Sequence, residues 1–460
     1  MIGTDKRYHF VGIGGAGMSG LASVFLEQGL SVSGSDLKEN PEIEYLRRAG
    51  AAIHLGHDPS HVRPPLDGVI VSSAVSPDNV EIRAARRMEI PVIFRLHALN
   101  WVMERYKSIG VAGTHGKTTT ATMIATILKG TGRDPGFLIG APSSVLGGRA
   151  RLGGGEWFVA EVDESDGLFV GMSPTIAVLT NVGKDHLTTY GSLSSIESAF
   201  QRYISQADRV VLDVDRENMR RWAASHENAL TVGIDSPAEL RAEGIIYDRF
   251  TTSFDLIHSG SSVARVFLPA PGEHNVRNAL CALGAASLAG VDLREAARSL
   301  ARFTLPHRRF QLMEENGVTV VDDYAHLPEE VAATLRAIRT GWPGRRIIAI
   351  FQPHRYTRTR DLGEEFGSAF SDADLALVTG IYPAGERPIP GVSSDLIVRA
   401  IAEQAGVDVR SIPDKQSVFS FLMDRIRAGD FIISFGAGDI WTVTEGMSAF
   451  LKEGRFRIAA

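Results

Sequence analysis

Short apolar runs alternate with longer stretches of helical period along most of the chain. Residues 8–13 read as a buried strand, followed by a glycine loop and an apolar helix over about 18–28. A second strand, 31–35, ends at Asp36, and 68–72 and 91–94 read as further strands. A second block opens with a strand at 108–112, a glycine turn, and a helix over 117–129 that Gly130 would stop. Strands 157–162 and 175–180 each end in a polar cluster, 210–213 follows, and 275–288 is helical. In a third block, strands 318–321, 346–351, 375–379 and 431–434 alternate with helices at about 328–340, 393–403 and 416–427. Strand–helix alternation of this kind predicts an α/β fold: three domains, each a mainly parallel sheet flanked by helices. The breaks fall near residues 105 and 306, giving blocks 1–105, 106–306 and 307–460. The first and third read as Rossmann-like, the second as a P-loop-type ATPase.

The length of 460 residues agrees with several domains, since single cores stop growing near roughly 250–300 residues. The net charge of −6 is spread along the chain without a basic block, which argues against nucleic acid as a partner. Lys6 and Arg7 precede an uncharged stretch as in an export signal, but Phe10–Leu26 holds five glycines and no continuous apolar centre. It is too polar to insert in a membrane, so a cytoplasmic protein is expected. The single cysteine, Cys281, lies in an apolar run and reads as a small buried hydrophobe. A homodimer is left open.

Five constellations carry chemistry. Gly12-Ile13-Gly14-Gly15-Ala16-Gly17, between a strand and the helix containing Met18, is a dinucleotide-type loop. Its glycines let the backbone approach a pyrophosphate at a helix N-terminus. Asp36, about 20 residues on, is placed to accept from ribose hydroxyls, and Ser72 ends a neighbouring strand. On this block alone a nicotinamide-dependent oxidoreductase is the natural reading, yet a UDP-sugar carries the same ribose and pyrophosphate.

The second constellation separates them. Gly113-Thr114-His115-Gly116-Lys117-Thr118-Thr119 is placed as a phosphate loop, its N–H groups cradling ATP phosphates, Lys117 on the β/γ oxygens and Thr118 on Mg²⁺. Position 111 is Val where the strict pattern requires glycine. Third, Glu161–Asp166 and Asn181–His186 end adjacent strands, where ligands of open parallel sheets collect. Glu161 suits Mg²⁺, whereas His186 would be an unusual ligand for it and could equally be structural. Fourth, Asn275 and Asn278 share a helical face able to read an adenine edge, alongside Arg309, Asp323, Tyr324 and His326. Fifth, His354-Arg355-Tyr356-Thr357-Arg358 follows a strand; its arginines can grip a carboxylate bidentately, or form a surface ion-pair network.

Together these segments resemble the muramyl ligase family from residue 8 to 450. The resemblance implies ATP- and Mg²⁺-dependent joining of L-alanine to the lactyl carboxylate of UDP-N-acetylmuramate through an acyl phosphate, in cell-wall precursor synthesis. It implies that 1–105 holds the UDP-sugar, 106–306 ATP, and 307–460 the amino acid. Lys117, Glu161 and His186 would be catalytic, with Thr118, Glu161 and His186 at the metal. Asn275, Asn278, Arg309 and Asp323 would complete the nucleotide site, and Tyr324, His326, His354, Arg355 and Arg358 would surround the alanine. Gly183, Lys184, Thr188 and Leu327 depart from the family pattern. A relative that recycles a preformed tripeptide onto the same sugar is the nearest alternative, disfavoured by the arginine fork.

Overall fold

The computed structural model describes residues 5–315 and 317–452; positions 1–4, 316 and 453–460 of the expected first and last blocks lie outside it. Three sheets are present. The first has five parallel strands ordered Ala52–Leu55, Ser31–Asp36, Arg7–Val11, Gly68–Val71 and Val92–Phe94. Its order reverses at Arg7–Val11, so the crevice outside that strand's carboxyl end receives the glycine loop. Local signals set the helices around it: Asn40 caps the helix Pro41–Arg48 by accepting from the Ile43 N–H, with Pro41 at the first turn and Arg47 and Arg48 at the last.

The second sheet has ten strands, and Lys107–Ala112 lies between Ile176–Leu179 and Trp157–Glu161, again at a reversal. The helix that follows, Lys117–Gly130, is buried from Thr118 to Leu128. Its threonines are tolerated because Thr122 and Thr126 donate to the carbonyls four residues back (both 2.7 Å). Six strands of this sheet were not expected from the sequence: Gly136–Ser143, Gly148–Arg151, Ala229–Gly233, Leu240–Asp248, Thr251–His258 and Ser261–Leu268. Thr251–His258 alternates buried Thr252, Phe254 and Leu256 with partly exposed positions, and so lacks the continuous apolar run that marks a buried parallel strand.

The third sheet orders Gln311–Glu315, Thr319–Asp323, Phe431–Phe435, Ile347–Phe351, Leu375–Val378 and Asp408–Ser411. All its pairings are parallel except the first, which is antiparallel. Phe310, Trp342 and Phe431 pack beneath it, with ring centroids 4.9–6.1 Å apart. The helix expected over 416–427 spans only Lys415–Met423, because the Asp430 carboxylate takes the Arg427 N–H (2.8 Å) and turns the chain into its next strand.

The chain forms two compact units. One comprises residues up to Gly244 with Phe254–Phe267 and Arg277–Thr304; the other comprises Ile245–Ser253, Leu268–Val276 and the residues from Leu305 onward. Among the described residues no helix is long and apolar enough to cross a membrane.

Candidate active site

The glycine loop is held from beneath. The Ser35 carbonyl accepts from both Gly12 and Ile13 N–H (2.9 and 3.0 Å), and the Asp36 carboxylate accepts from Gly14 N–H (2.9 Å) and Leu37 N–H (2.7 Å). A side chain at position 14 would run into Asn40, Asp36 and Ile43, so glycine is required there by space. Gly15 precedes the first helical residue, Ala16, while Met18 is buried and Ser72 accepts from the Ala74 N–H (3.2 Å). Asp36, expected to face ribose, spends hydrogen-bonding capacity on the loop itself. Arg95 was not singled out from the sequence: its guanidinium lies against Gly17 and donates to Asp163 (2.9 Å). Its position directly after Phe94, at a strand's end, was the available signal.

The phosphate loop is tied to the adjoining strand end. Asn181 accepts from Thr114 N–H through its carbonyl (3.1 Å) and from His115 N–H through its side chain (2.8 Å). It returns a hydrogen bond to the His115 carbonyl (3.0 Å), and the Thr114 hydroxyl accepts from Gly183 N–H (2.8 Å). The N–H groups of Thr114 and His115 are thus engaged in shaping the loop. Gly116 adopts φ +78° as the helix N-cap, with the Asn278 amide packed against it. Its helical-face partner Asn275 is buried and donates to the Pro271 carbonyl (2.8 Å).

Lys117 is partly buried, its side chain 15% exposed, and reaches the Gly113 carbonyl (2.5 Å) and the Glu164 carboxylate (2.9 Å). Burial alone would lower its pKa, but Glu164 and Glu161 more than offset this, raising it and keeping the ammonium charged. Glu164 is pushed up to about 7 by burial, against the pull of Lys117. It lies in a segment legible from the sequence as acidic, yet Glu161 alone was chosen there. His186, at φ +53°, turns its Nε2 toward Asp185 (3.3 Å) and Glu164 (3.9 Å).

Glu161 accepts from the Gly140 N–H (2.7 Å), and a Cβ at Gly140 would come within 2.8 Å of the Thr118 hydroxyl and 2.6 Å of Glu161. A carboxylate and a hydroxyl thus border one bare patch of backbone. Hard oxygens of this kind fit Mg²⁺, which keeps most of its shell for water and phosphate.

In the second unit, Tyr324, His326, His354 and Tyr382 form a continuous line of rings, with centroids 5.4, 5.9 and 5.6 Å apart. Arg309 lies over Tyr324 (4.9 Å), and Arg358 donates to His354 (3.1 Å). Arg355 holds φ +73° at the start of the helix Tyr356–Leu362, its guanidinium 3.8 Å from Glu386. Thr357 fixes Glu386 through its N–H (3.0 Å) and hydroxyl (2.6 Å). Asp323 accepts from Phe310 N–H (2.8 Å) and Ala325 N–H (2.7 Å), and burial raises its carboxyl to about 6 despite Arg309. Tyr382 and Glu386, given no role from the sequence, are the additions here.

The sequence matches three consecutive family domains: the Mur ligase family, catalytic domain, over 7–107; the Mur ligase middle domain over 111–286; and the Mur ligase, glutamate ligase domain, over 308–438. It is 42% identical over 459 residues to the UDP-N-acetylmuramate–L-alanine ligase of Pelobacter propionicus, covering 98% of this chain and 100% of the relative. The structure resembles the UDP-N-acetylmuramate–alanine ligase of Thermotoga maritima, with TM-score 0.83, 29% identity, and 97% and 99% of the two chains covered. It also resembles a murein peptide ligase from Psychrobacter arcticus, with TM-score 0.70, 26% identity, and 99% and 100% covered. With all three domains matched in order across two glycine loops and the ring-lined third sheet, this chain belongs to the Mur ligase family.

Proposed function

We propose that this chain joins L-alanine to the lactyl carboxylate of UDP-N-acetylmuramate, driven by ATP, in peptidoglycan precursor synthesis. The observation that carries this is the 42% identity, spread over nearly the whole length, to a UDP-N-acetylmuramate–L-alanine ligase. The glycine loop Gly12–Met18, with Asp36 and Ser72, receives the UDP-sugar. Gly113–Thr119 receives the ATP phosphates, and Asn275, Asn278, Arg309 and Asp323 serve the rest of the nucleotide.

A carboxylate is a poor electrophile, so it must be activated. Its oxygen attacks the γ-phosphorus, ADP departs, and an acyl phosphate forms. Lys117 exchanges Glu164 for the phosphate oxygens and neutralises the charge that develops there. Thr118, Glu161 and His186 would hold Mg²⁺, which would supply shielding of the phosphate charge during transfer. The alanine amine then attacks the acyl carbon and inorganic phosphate leaves. Arg355 and Arg358 hold the alanine carboxylate, while Tyr324, His326 and His354 shape the space for its side chain. A reaction fed by ATP belongs in the cytoplasm.

Phosphate release from ATP with UDP-N-acetylmuramate tests this, comparing alanine, glycine, serine, valine and a murein tripeptide. Alanine should give the highest kcat/KM. One methylene is worth about 1–3 kcal/mol in a pocket, so glycine and serine should be poor and valine nearly inert. A tripeptide outcompeting alanine would favour the recycling activity named for the Psychrobacter arcticus protein.

A further inference from the structure

Beneath the first sheet's carboxyl edge lies a charged cluster that the reaction above does not use. Glu81, in the helix Val80–Arg87, is fully buried. Its carboxylate accepts from the Ser35 hydroxyl (2.5 Å), His61 Nδ1 (2.7 Å), His57 Nδ1 (3.2 Å) and the Asp58 N–H (3.3 Å). His9 Nε2, itself buried, stands 3.7 Å away, and His54 stacks on His61 at 4.1 Å. Ser35 also contacts His57 (2.9 Å).

The cluster ends on the glycine loop. The same Ser35 whose hydroxyl binds Glu81 presents the carbonyl that takes Gly12 and Ile13 N–H. The next residue, Asp36, takes Gly14 N–H by its side chain and Gly56 N–H by its carbonyl (2.8 Å). Glu81 thus braces the glycine loop, through Ser35, and the 56–61 loop, through His57, Asp58 and His61. Apolar packing could anchor a helix to a sheet without the cost of burying a charge. A buried carboxylate with four donors instead fixes direction, and direction is what a loop aiming N–H groups at a diphosphate requires.

We propose that Glu81 is a positioning residue for nucleotide-sugar binding, acting through Ser35 on the glycine loop. This rests on the reading of that loop as the UDP-sugar site. The test compares E81Q and S35A with wild type, measuring KM for UDP-N-acetylmuramate and for ATP separately, with thermal melts alongside. E81Q should raise the sugar KM about tenfold or more, S35A several-fold, while the ATP KM stays put. An unchanged sugar KM in both variants, or equal rises for both nucleotides, would overturn the proposal. If E81Q does not fold, S35A decides alone by the same criterion. Should wild type fail to bind the UDP-sugar at all, the ligase reading falls, and the role of Glu81 with it.

Discussion

Two buried glutamates in the first compact unit show how surroundings, not burial, decide what a charge is for. Glu81 and Glu164 are both almost inaccessible to solvent. Burial works to raise the Glu81 pKa, but hydrogen bonds from His9, Ser35 and His61 win and hold it down to about 2. Glu164 has one cationic partner, Lys117, and burial prevails, pushing it up to about 7. A carboxylate with many donors is a finished piece of architecture. One paired with an exchangeable lysine is, on the proposed mechanism, a place-holder that keeps the lysine charged and aimed until phosphate arrives.

The largest expected effect removes the exchangeable partner. Lys117→Ala should lower phosphate release at least ~100-fold, the usual loss for a preorganised charge on a transferring group. Calorimetric titration should find UDP-sugar affinity near normal, and a parallel collapse of both would erase the proposed division between the two loops.

Acid sharpens the contrast next. Because the folded-state pKa of Glu81 lies below its ordinary 4.5, its stabilisation is present above that pH and disappears as pH falls through about 2. The shift corresponds to about 3 kcal/mol at full deprotonation. Urea unfolding of wild type and E81Q at about pH 6 and about pH 3 should show the two stabilities converging in acid. A constant gap would mean that the carboxylate charge is not what stabilises the cluster.

Amide replacement should then separate the two residues at neutral pH. E81Q leaves several donors facing a weaker acceptor and should cost about 1–3 kcal/mol. E164Q should cost less, since Lys117 retains the Gly113 and Thr114 carbonyls. Equal losses in denaturant melts would contradict the place-holder role.

The smallest effect is expected at an exposed pair. Arg355, 46% exposed and 3.8 Å from Glu386, gains little from that contact. Arg355→Ala should leave the melting temperature unmoved but raise the alanine KM about tenfold, the worth of one charge-assisted hydrogen bond to a carboxylate. An unchanged alanine KM would remove Arg355 from the substrate site.

Both glycine loops were legible from their glycine spacing, and strands such as Trp157–Glu161 and Ile347–Phe351 from continuous apolar runs that bear a plain pattern. The alternating strands 240–268 were not, since half their positions face water and resemble loop. At the sites, sequence spacing identified Lys117 and its loop but not its partner Glu164. Which carboxylate in Glu161–Asp166 meets the lysine depends on how the chain turns after Glu161. Glu81, His57 and His61 likewise lie apart in sequence from Ser35, and only folding brings them onto one serine.

The lone thiol has a practical consequence. Cys281 is 1% exposed and burial raises its pKa far above the usual thiol range, so reagents that need a thiolate find nothing to attack in the folded chain. The native sequence is therefore a silent background for site-directed labelling. A cysteine introduced at an exposed position of each compact unit would accept a fluorophore pair without prior mutagenesis. The distance between the units could then be followed through each stage of a catalytic cycle.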